Sequence, residues 1–239
     1  RIRTVPRQGT ARRANPLTQA APWTDALPTP RIRVVRGGTV VPDTGHNNNA
    51  HGVFDRSGAF APMSQARLSR GRFSAIPAPA KATAHLTGTH LYAGFSHSHF
   101  GHFLLESIDR LWALDQLEKP PDGLILPARG TMDMEHNLAR SLAPILARFG
   151  DGLPMHVIHE PTRVDRLLLP APGFGHGPWL GGTDAFRRFT TKRFAQIDVD
   201  GPDKLYLSRR GLRQPDKLVD QEAEIEAMME QAGFFIFRP

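Results

Sequence analysis

Apolar side chains recur every three or four positions through residues 101–118, the clearest regular pattern in the chain. They are Leu104, Leu105, Ile108, Leu111, Trp112 and Leu114. This spacing is typical of an amphipathic helix, because residues three and four apart share one helical face. Pro120 and Pro121 lie just beyond the stretch, and proline ends helices because it lacks the backbone N–H. The pattern therefore predicts one helix over residues 101–118.

Three polar residues of this helix, His102, Glu106 and Arg110, are spaced four apart and are expected to form a stripe on one face. The stripe begins in the first turn, where backbone N–H groups are unpaired and the helix dipole is positive. This arrangement favours a helix that points its N-terminus into a cleft, with His99 on the preceding loop. The same stripe is also typical of a solvated helix face with ordinary i,i+4 pairs. The spacing alone does not decide between these interpretations.

Short apolar runs alternate with helical stretches between residues 85 and 197, which predicts an α/β domain with a mostly parallel sheet. Sites in such sheets lie at the carboxyl ends of strands, and Gly94–His102 directly follows the first predicted strand. Upstream, residues 31–36, the pair Gly37-Gly38 and residues 39–42 predict a strand, a tight turn and a strand. We therefore expect a basic, Pro-rich and β-rich segment over residues 1–84, followed by a Rossmann-like domain over residues 85–200.

Residues 201–239 predict a strand, the basic turn Arg209-Arg210-Gly211, a helix and a second strand. This order is typical of the first βαβ unit of a second doubly wound domain. Two strands and one helix cannot close a hydrophobic core, so we expect the natural chain to continue past Pro239. Guanidinium groups directly after a strand suit phosphate oxygens, although a solvated basic turn has the same composition.

The composition excludes several kinds of chemistry. The chain of 239 residues has no cysteine, so disulfides, cysteine zinc sites and a cysteine nucleophile are excluded. No Walker A loop, GxGxxG fingerprint or GxSxG elbow occurs. Asp198-Val199-Asp200 matches the short DxD pattern that holds divalent metals, but it lies on a predicted linker. The histidines around residue 99 match no standard zinc spacing.

The net charge of +7 is concentrated near the start of the chain, where residues 1–36 hold eight arginines against one acid. Such an arm is typical of proteins that bind polyanions, and also of solvated, Pro-rich tails. One hypothesis is therefore a non-catalytic basic α/β module that binds nucleic acid or anionic polysaccharide. No recognised nucleic-acid motif is present, which argues against a nucleic-acid partner.

Two stretches together resemble glycosyltransferase family 61. Residues 101–111, GHFLLESIDRL, are similar to the family helix H-(F/W)-L-L-E-x-L-x-R-L. Residues 204–211, KLYLSRRG, are similar to the family strand and turn Y-(I/V)-S-R, and residues 222–235 resemble the helix that follows. The resemblance covers roughly residues 90–239. The family continues into a G-x-H-G-A-G-L-T-N stretch that this chain lacks, which agrees with the expected C-terminal truncation.

The resemblance implies a GT-B fold of two Rossmann-like domains and inverting transfer of a sugar from a nucleotide sugar to a glycan or polysaccharide. It implies a base in the first domain, either His102 or Glu106, and contact of Arg209, then Arg210, with the donor diphosphate. His99 and Arg110 are expected on the acceptor side. Because arginine supplies the positive charge, we expect a metal-independent site without a cofactor. The implied setting is bacterial surface polysaccharide synthesis in the cytoplasm, with peripheral contact to the inner membrane.

Overall fold

The computed structural model describes residues 31–43, 50–66, 73–96, 100–129, 142–175, 181–195, 201–212 and 218–238. The chain divides into two compact units, Arg1–Phe194 and Ala195–Pro239. The predicted boundary after residue 200 lies a few residues beyond this division. The predicted boundary after residue 84 separates no compact unit, because strands on both sides of it belong to one sheet.

The first unit is built on a six-stranded sheet with the strand order β2-β1-β6-β3-β4-β5. Its strands are β1 (Ile32–Val41), β2 (Gly52–Phe54), β3 (Ala84–Tyr92), β4 (Gly123–Pro127), β5 (Met155–Ile158) and β6 (Thr162–Pro170). Strands β6, β3, β4 and β5 are parallel, whereas β1 is antiparallel to both β6 and β2. The α/β class is confirmed, but the sheet is mixed and not parallel throughout.

The predicted hairpin at Gly37-Gly38 is wrong. Strand β1 continues through both glycines, and its register with β6 is the same on either side, as the pairs Arg36–Arg166 and Gly38–Val164 show. Gly37 has a φ of +61°, which glycine adopts without steric cost inside the strand. The long partner strand β6, far away in sequence, therefore keeps β1 continuous where local sequence favours a turn.

Side chains alternate across the central strands and form a core on each face of the sheet. Strand β4 is buried along its whole length, as expected for a strand that is covered on both faces. One face carries Leu91, Leu124 and Leu126 and is packed by helical residues that include Phe103 and Trp112. The other face carries a second cluster: Val35, Val40, Val53, Ala61, Tyr92, Ile125, Ile158, Val164, Leu167 and Leu169.

The predicted helix over residues 101–118 is not one continuous helix. Helix α1 (Phe100–His102) runs directly into a π-helical turn over Phe103–Ser107, in which the Ile108 N–H donates to the Phe103 carbonyl at 3.1 Å. A 3-10 helix then covers Leu111–Gln116. The remaining helices of the described part of this unit are the 3-10 turn Pro62–Ser64, α2 (Ala143–Phe149) and α3 (Asp184–Phe194).

The second unit contains β7 (Leu205–Leu207), α4 (Glu222–Gln231) and β8 (Phe235–Phe237), and β7 pairs with β8 in parallel. This is the predicted βαβ arrangement. The strands are joined through a helix because parallel neighbours require a crossover connection. Across the described parts of both units, none of the helices has the length and apolar character that crossing a membrane requires.

Candidate functional site

The segment that follows β3 carries the first candidate site to the carboxyl edge of the sheet. Residues Ala93–Ser96 run beside the end of β4, since the N–H groups of Ala93 and Ser96 donate to the carbonyls of Ile125 and Pro127. Gly94 has a φ of +131° and approaches the π-helical turn closely. A Cβ atom at this position would lie 2.6 Å from the Glu106 carbonyl oxygen, so the close approach requires glycine.

The π-helical turn is fastened to this segment by a hydrogen bond from its last residue. The buried Ser107 hydroxyl donates to the Phe95 carbonyl, and the Phe95 ring stacks on the buried His51 ring with 4.1 Å between centroids. Phe95 is itself buried. The residue before Ser107 is Glu106, so its backbone is anchored at the end of β3. π-helical turns are rare and are often found at functional sites.

His102 and Glu106 are brought together, as the helical spacing predicts. The Nδ1 atom of His102 lies 2.6 Å from Oε1 of Glu106, and the side chains are 53% and 10% exposed respectively. An ionised carboxylate only accepts hydrogen bonds, so the contact holds the proton on Nδ1 and makes Nε2 the basic nitrogen of the neutral ring. The result is an accessible imidazole whose tautomer and orientation are fixed by a mostly buried carboxylate.

Arg110 does not share the exposed face of His102 and Glu106, and this prediction is wrong. Its side chain is 1% exposed, and its guanidinium lies 5.3 Å from the Tyr92 ring centroid. The guanidinium donates to the carbonyls of three residues distant in sequence, Met63 (2.6 Å), Gln65 (2.7 Å) and Pro170. The π-helical turn and the break after it rotate Arg110 into the core.

Two of the sequence predictions lie outside the described residues: His99, expected on the acceptor side, and the Asp198–Asp200 pattern. Among the residues with a described structure, no three His, Asp or Glu side chains are grouped so that they could hold a metal ion.

The second candidate site is the turn that follows β7 and holds Arg209 and Arg210. The buried Ser208 hydroxyl accepts the Arg210 N–H at 2.9 Å and donates to Glu226 Oε1 at 2.5 Å. The Arg209 N–H donates to Glu222 Oε1 at 2.7 Å. Two carboxylates of α4 therefore fix the backbone of the turn, and both arginine side chains are exposed.

The two arginines differ in their partners. Arg210 Nη1 donates to Glu226 Oε2 at 3.2 Å, and Arg238 donates to the same carboxylate from Nε at 3.0 Å and from Nη2 at 2.7 Å. Arg209 makes no ion pair with any residue in the described part of the chain. The hydrogen bonds from Arg238, Ser208 and Arg210 lower the pKa of Glu226 to about 2.

Sequence reasoning missed the roles of Glu222, Glu226 and Arg238. The side chains of Glu222 and Glu226 are buried against the β7 turn. The Arg209 N–H, chiefly, keeps the pKa of Glu222 below its usual value. The available signal was the four-residue spacing of the two glutamates, which puts them on one helix face directed at a single partner.

Comparison of the chain with protein-family models, curated proteins and solved structures finds no match.

Proposed function

We propose that this protein is an inverting glycosyltransferase that transfers a sugar from a nucleotide sugar to a glycan or polysaccharide acceptor. The observation that carries the proposal is the His102–Glu106 pair at 2.6 Å, at the carboxyl edge of the sheet. An exposed imidazole oriented by a shielded carboxylate is suited to general base catalysis. The pair also lies in the stretch that carries the motif resemblance.

The exposed fractions support different roles for the two residues. His102, 53% exposed, accepts the proton of the acceptor hydroxyl on Nε2, while Glu106, 10% exposed, orients the ring and stabilises the imidazolium. The acceptor oxygen forms a bond to the anomeric carbon of the donor sugar. The bond from that carbon to the diphosphate oxygen breaks, and the diphosphate leaves with the electron pair.

The departing diphosphate requires positive charge, and Arg209 is the first candidate to supply it. Its guanidinium is exposed and makes no ion pair within the described residues, whereas Arg210 shares Glu226 with Arg238. Fixed cations stabilise the charge of a leaving group without the help of a metal ion. We therefore propose a metal-independent reaction, and a GT-B fold as the motif resemblance implies.

The proposal extends to the biological setting: synthesis of a bacterial surface polysaccharide in the cytoplasm, with peripheral contact to the inner membrane. It is tested by measuring nucleotide release from UDP-, GDP- and CMP-sugars by the full encoded protein, with and without glycan acceptors. We expect His102→Ala to lower the rate by roughly 10²–10⁴-fold, the usual contribution of a general base. Glu106→Gln keeps a hydrogen-bond partner but loses the charge, so we expect a smaller loss.

The matched control is His85→Ala. His85 is also an exposed histidine paired with a carboxylate, since its Nε2 lies 2.6 Å from Asp165 Oδ1, but it lies near the amino end of β3. This variant should retain the wild-type rate. No release from any donor, or equal rates for His102→Ala and wild type, contradicts the proposal. Polyanion binding that is lost when residues 1–36 are removed would then support the basic binding module.

A further inference from the structure

The carboxyl edge of the second unit gathers three arginines from two strands. Strands β7 and β8 are parallel and in register, with Leu207 opposite Phe237, so their carboxyl ends meet at one edge. Arg209 and Arg210 follow β7, and Arg238 directly follows β8. The carboxyl edge of parallel strands is where ligands bind in open α/β sheets.

The acids at this edge lie beneath the arginines. Glu226 is 4% exposed, whereas the side chains of Arg210 and Arg238 are 58% and 54% exposed. The two Glu226 oxygens accept four hydrogen bonds, from Ser208, Arg210 and twice from Arg238. Glu222 is also buried and is bonded to the Arg209 N–H and the Tyr206 hydroxyl. The charged groups presented to solvent at this edge are therefore mainly guanidinium groups, which lie beside the exposed side chains of Leu207 and Phe237.

Glu226 also fixes how the remaining donors are arranged. A guanidinium has five N–H groups. Within the described residues, Arg238 uses two of them and Arg210 uses one, all on the same carboxylate. Glu230 attracts Arg238 electrostatically without a hydrogen bond in this part of the chain. Because both side chains are held by one anchor, their other N–H groups are kept close together and accessible.

We propose that Arg238 is a further anion-binding residue, which binds a diphosphate together with Arg209 and Arg210, and that Glu226 is the positioning residue for the site. The ligand class is a nucleoside diphosphate or its sugar ester. Naming the ligand as a nucleotide sugar rests on the proposed function, whereas the oxyanion site rests on this geometry alone. Paired guanidiniums suit this ligand because each presents parallel N–H groups to phosphate oxygens.

The test is calorimetric titration of inorganic pyrophosphate and of UDP onto the full protein. We expect Arg238→Met to weaken the binding of both ligands by roughly 10-fold to 100-fold, as the loss of a charge-assisted hydrogen bond implies. Arg238→Lys keeps the positive charge but lacks the parallel N–H groups of a guanidinium, so it should bind both ligands with intermediate affinity. The control is Arg187→Met, which removes an equally exposed arginine paired with Asp184 in α3 and should change affinity less than twofold.

The variant Glu226→Gln distinguishes a positioning role of Glu226 from a simple effect of its negative charge. Removing a negative charge should strengthen anion binding if only the net charge of the edge matters. If Glu226 positions Arg210 and Arg238, the variant should weaken pyrophosphate binding by several-fold, although the unit gains positive charge. Hydrogen exchange of the β8 amides shows whether each variant keeps the parallel strand pair.

The proposal is overturned if Arg238→Met binds pyrophosphate as wild type does, or if Arg187→Met loses as much affinity. If pyrophosphate binds through the basic arm of residues 1–36, Arg238→Met will bind it as wild type does. Failure of the proposed function has a different signature. If pyrophosphate binding depends on Arg238 while His102→Ala leaves sugar transfer unchanged, the anion site stands and the proposed role of His102 falls.

Discussion

Replacing Arg110 by methionine should strongly destabilise the first unit. The side chain is 1% exposed and joins three segments, because its guanidinium donates to carbonyls of residues 63 and 65 and of Pro170 at the end of β6. Methionine fills a similar volume but donates no hydrogen bond. The substitution therefore leaves three carbonyl oxygens of the core without this donor.

The expected cost follows from those three acceptors. A hydrogen bond from a charged donor contributes about 1.5–3 kcal/mol, and a buried acceptor left unpaired costs about 1–3 kcal/mol. Part of this is offset because the variant no longer buries the guanidinium charge. The buried carboxylate of Asp109, 3.9 Å from Arg110 Nε, loses this counter-charge, and removing one partner of a buried ion pair typically costs about 3–5 kcal/mol. We therefore expect Arg110→Met to lower the free energy of unfolding by about 3–5 kcal/mol. Arg110→Lys, whose single ammonium cannot reach all three carbonyls, should lose about 2 kcal/mol.

Urea unfolding followed by tryptophan fluorescence measures this effect in the relevant part of the chain. Trp112 is buried in the core of the first unit, so its fluorescence reports the unfolding of that unit. Arg187→Met is the control, because an exposed ion pair contributes about 0–1 kcal/mol. A loss below about 1 kcal/mol for Arg110→Met, or a lysine variant as stable as wild type, would refute the role assigned to this guanidinium.

Two further outcomes are expected. Gly94→Ala should destabilise the first unit by about 1–3 kcal/mol in the same assay, because it combines a positive φ with a clash against the Glu106 carbonyl. The control is Gly58→Ala, which also has a positive φ but open space around the new methyl group and should lose less stability. Glu226 has a pKa of about 2 in the folded chain against a usual 4.5, so it stabilises the second unit fully above about pH 4.5, and this contribution is lost as the pH falls towards 2. Amide exchange in β8 should show that decline, and Glu226→Gln should flatten it; a pH-independent wild type contradicts this account.

The elements that sequence patterns predicted correctly are those whose signal is local. The alternation of apolar runs with helical stretches after residue 85 predicts a sheet, and β4 illustrates the reason, because a strand buried on both faces needs a continuous apolar run. The βαβ unit also has a local signal, since a helical pattern between two short apolar strands is typical of a parallel pair. The His102–Glu106 pair follows from helical spacing alone.

The elements that were predicted wrongly depend on partners distant in sequence. Gly37 and Gly38 favour a turn locally, but β6 pairs with β1 on both sides of them and extends the strand. Arginine usually lies at the protein surface. Arg110 is buried because it donates to three carbonyls from two other segments of the chain. Acidic residues near the start of α4 interact favourably with the helix dipole. Only the fold shows that Glu222 and Glu226 accept hydrogen bonds from the turn after β7. In each case the deciding interaction joins residues whose proximity no local pattern reveals.

The π-helical turn after α1 allows His102 to be exposed and Arg110 to be buried, although both belong to one helical stretch. In a regular helix, residues 102, 106 and 110 share a face, so an exposed His102 would bring an exposed Arg110. The wider π-helical turn adds about one residue to the cycle and turns the following positions. Glu106 can then pair with the exposed His102, while the Ser107 hydroxyl donates to the Phe95 carbonyl in the interior and Arg110 enters the core. Residues at the same four-residue spacing therefore form an exposed imidazole held by a mostly buried carboxylate, and a buried guanidinium that donates to three carbonyls.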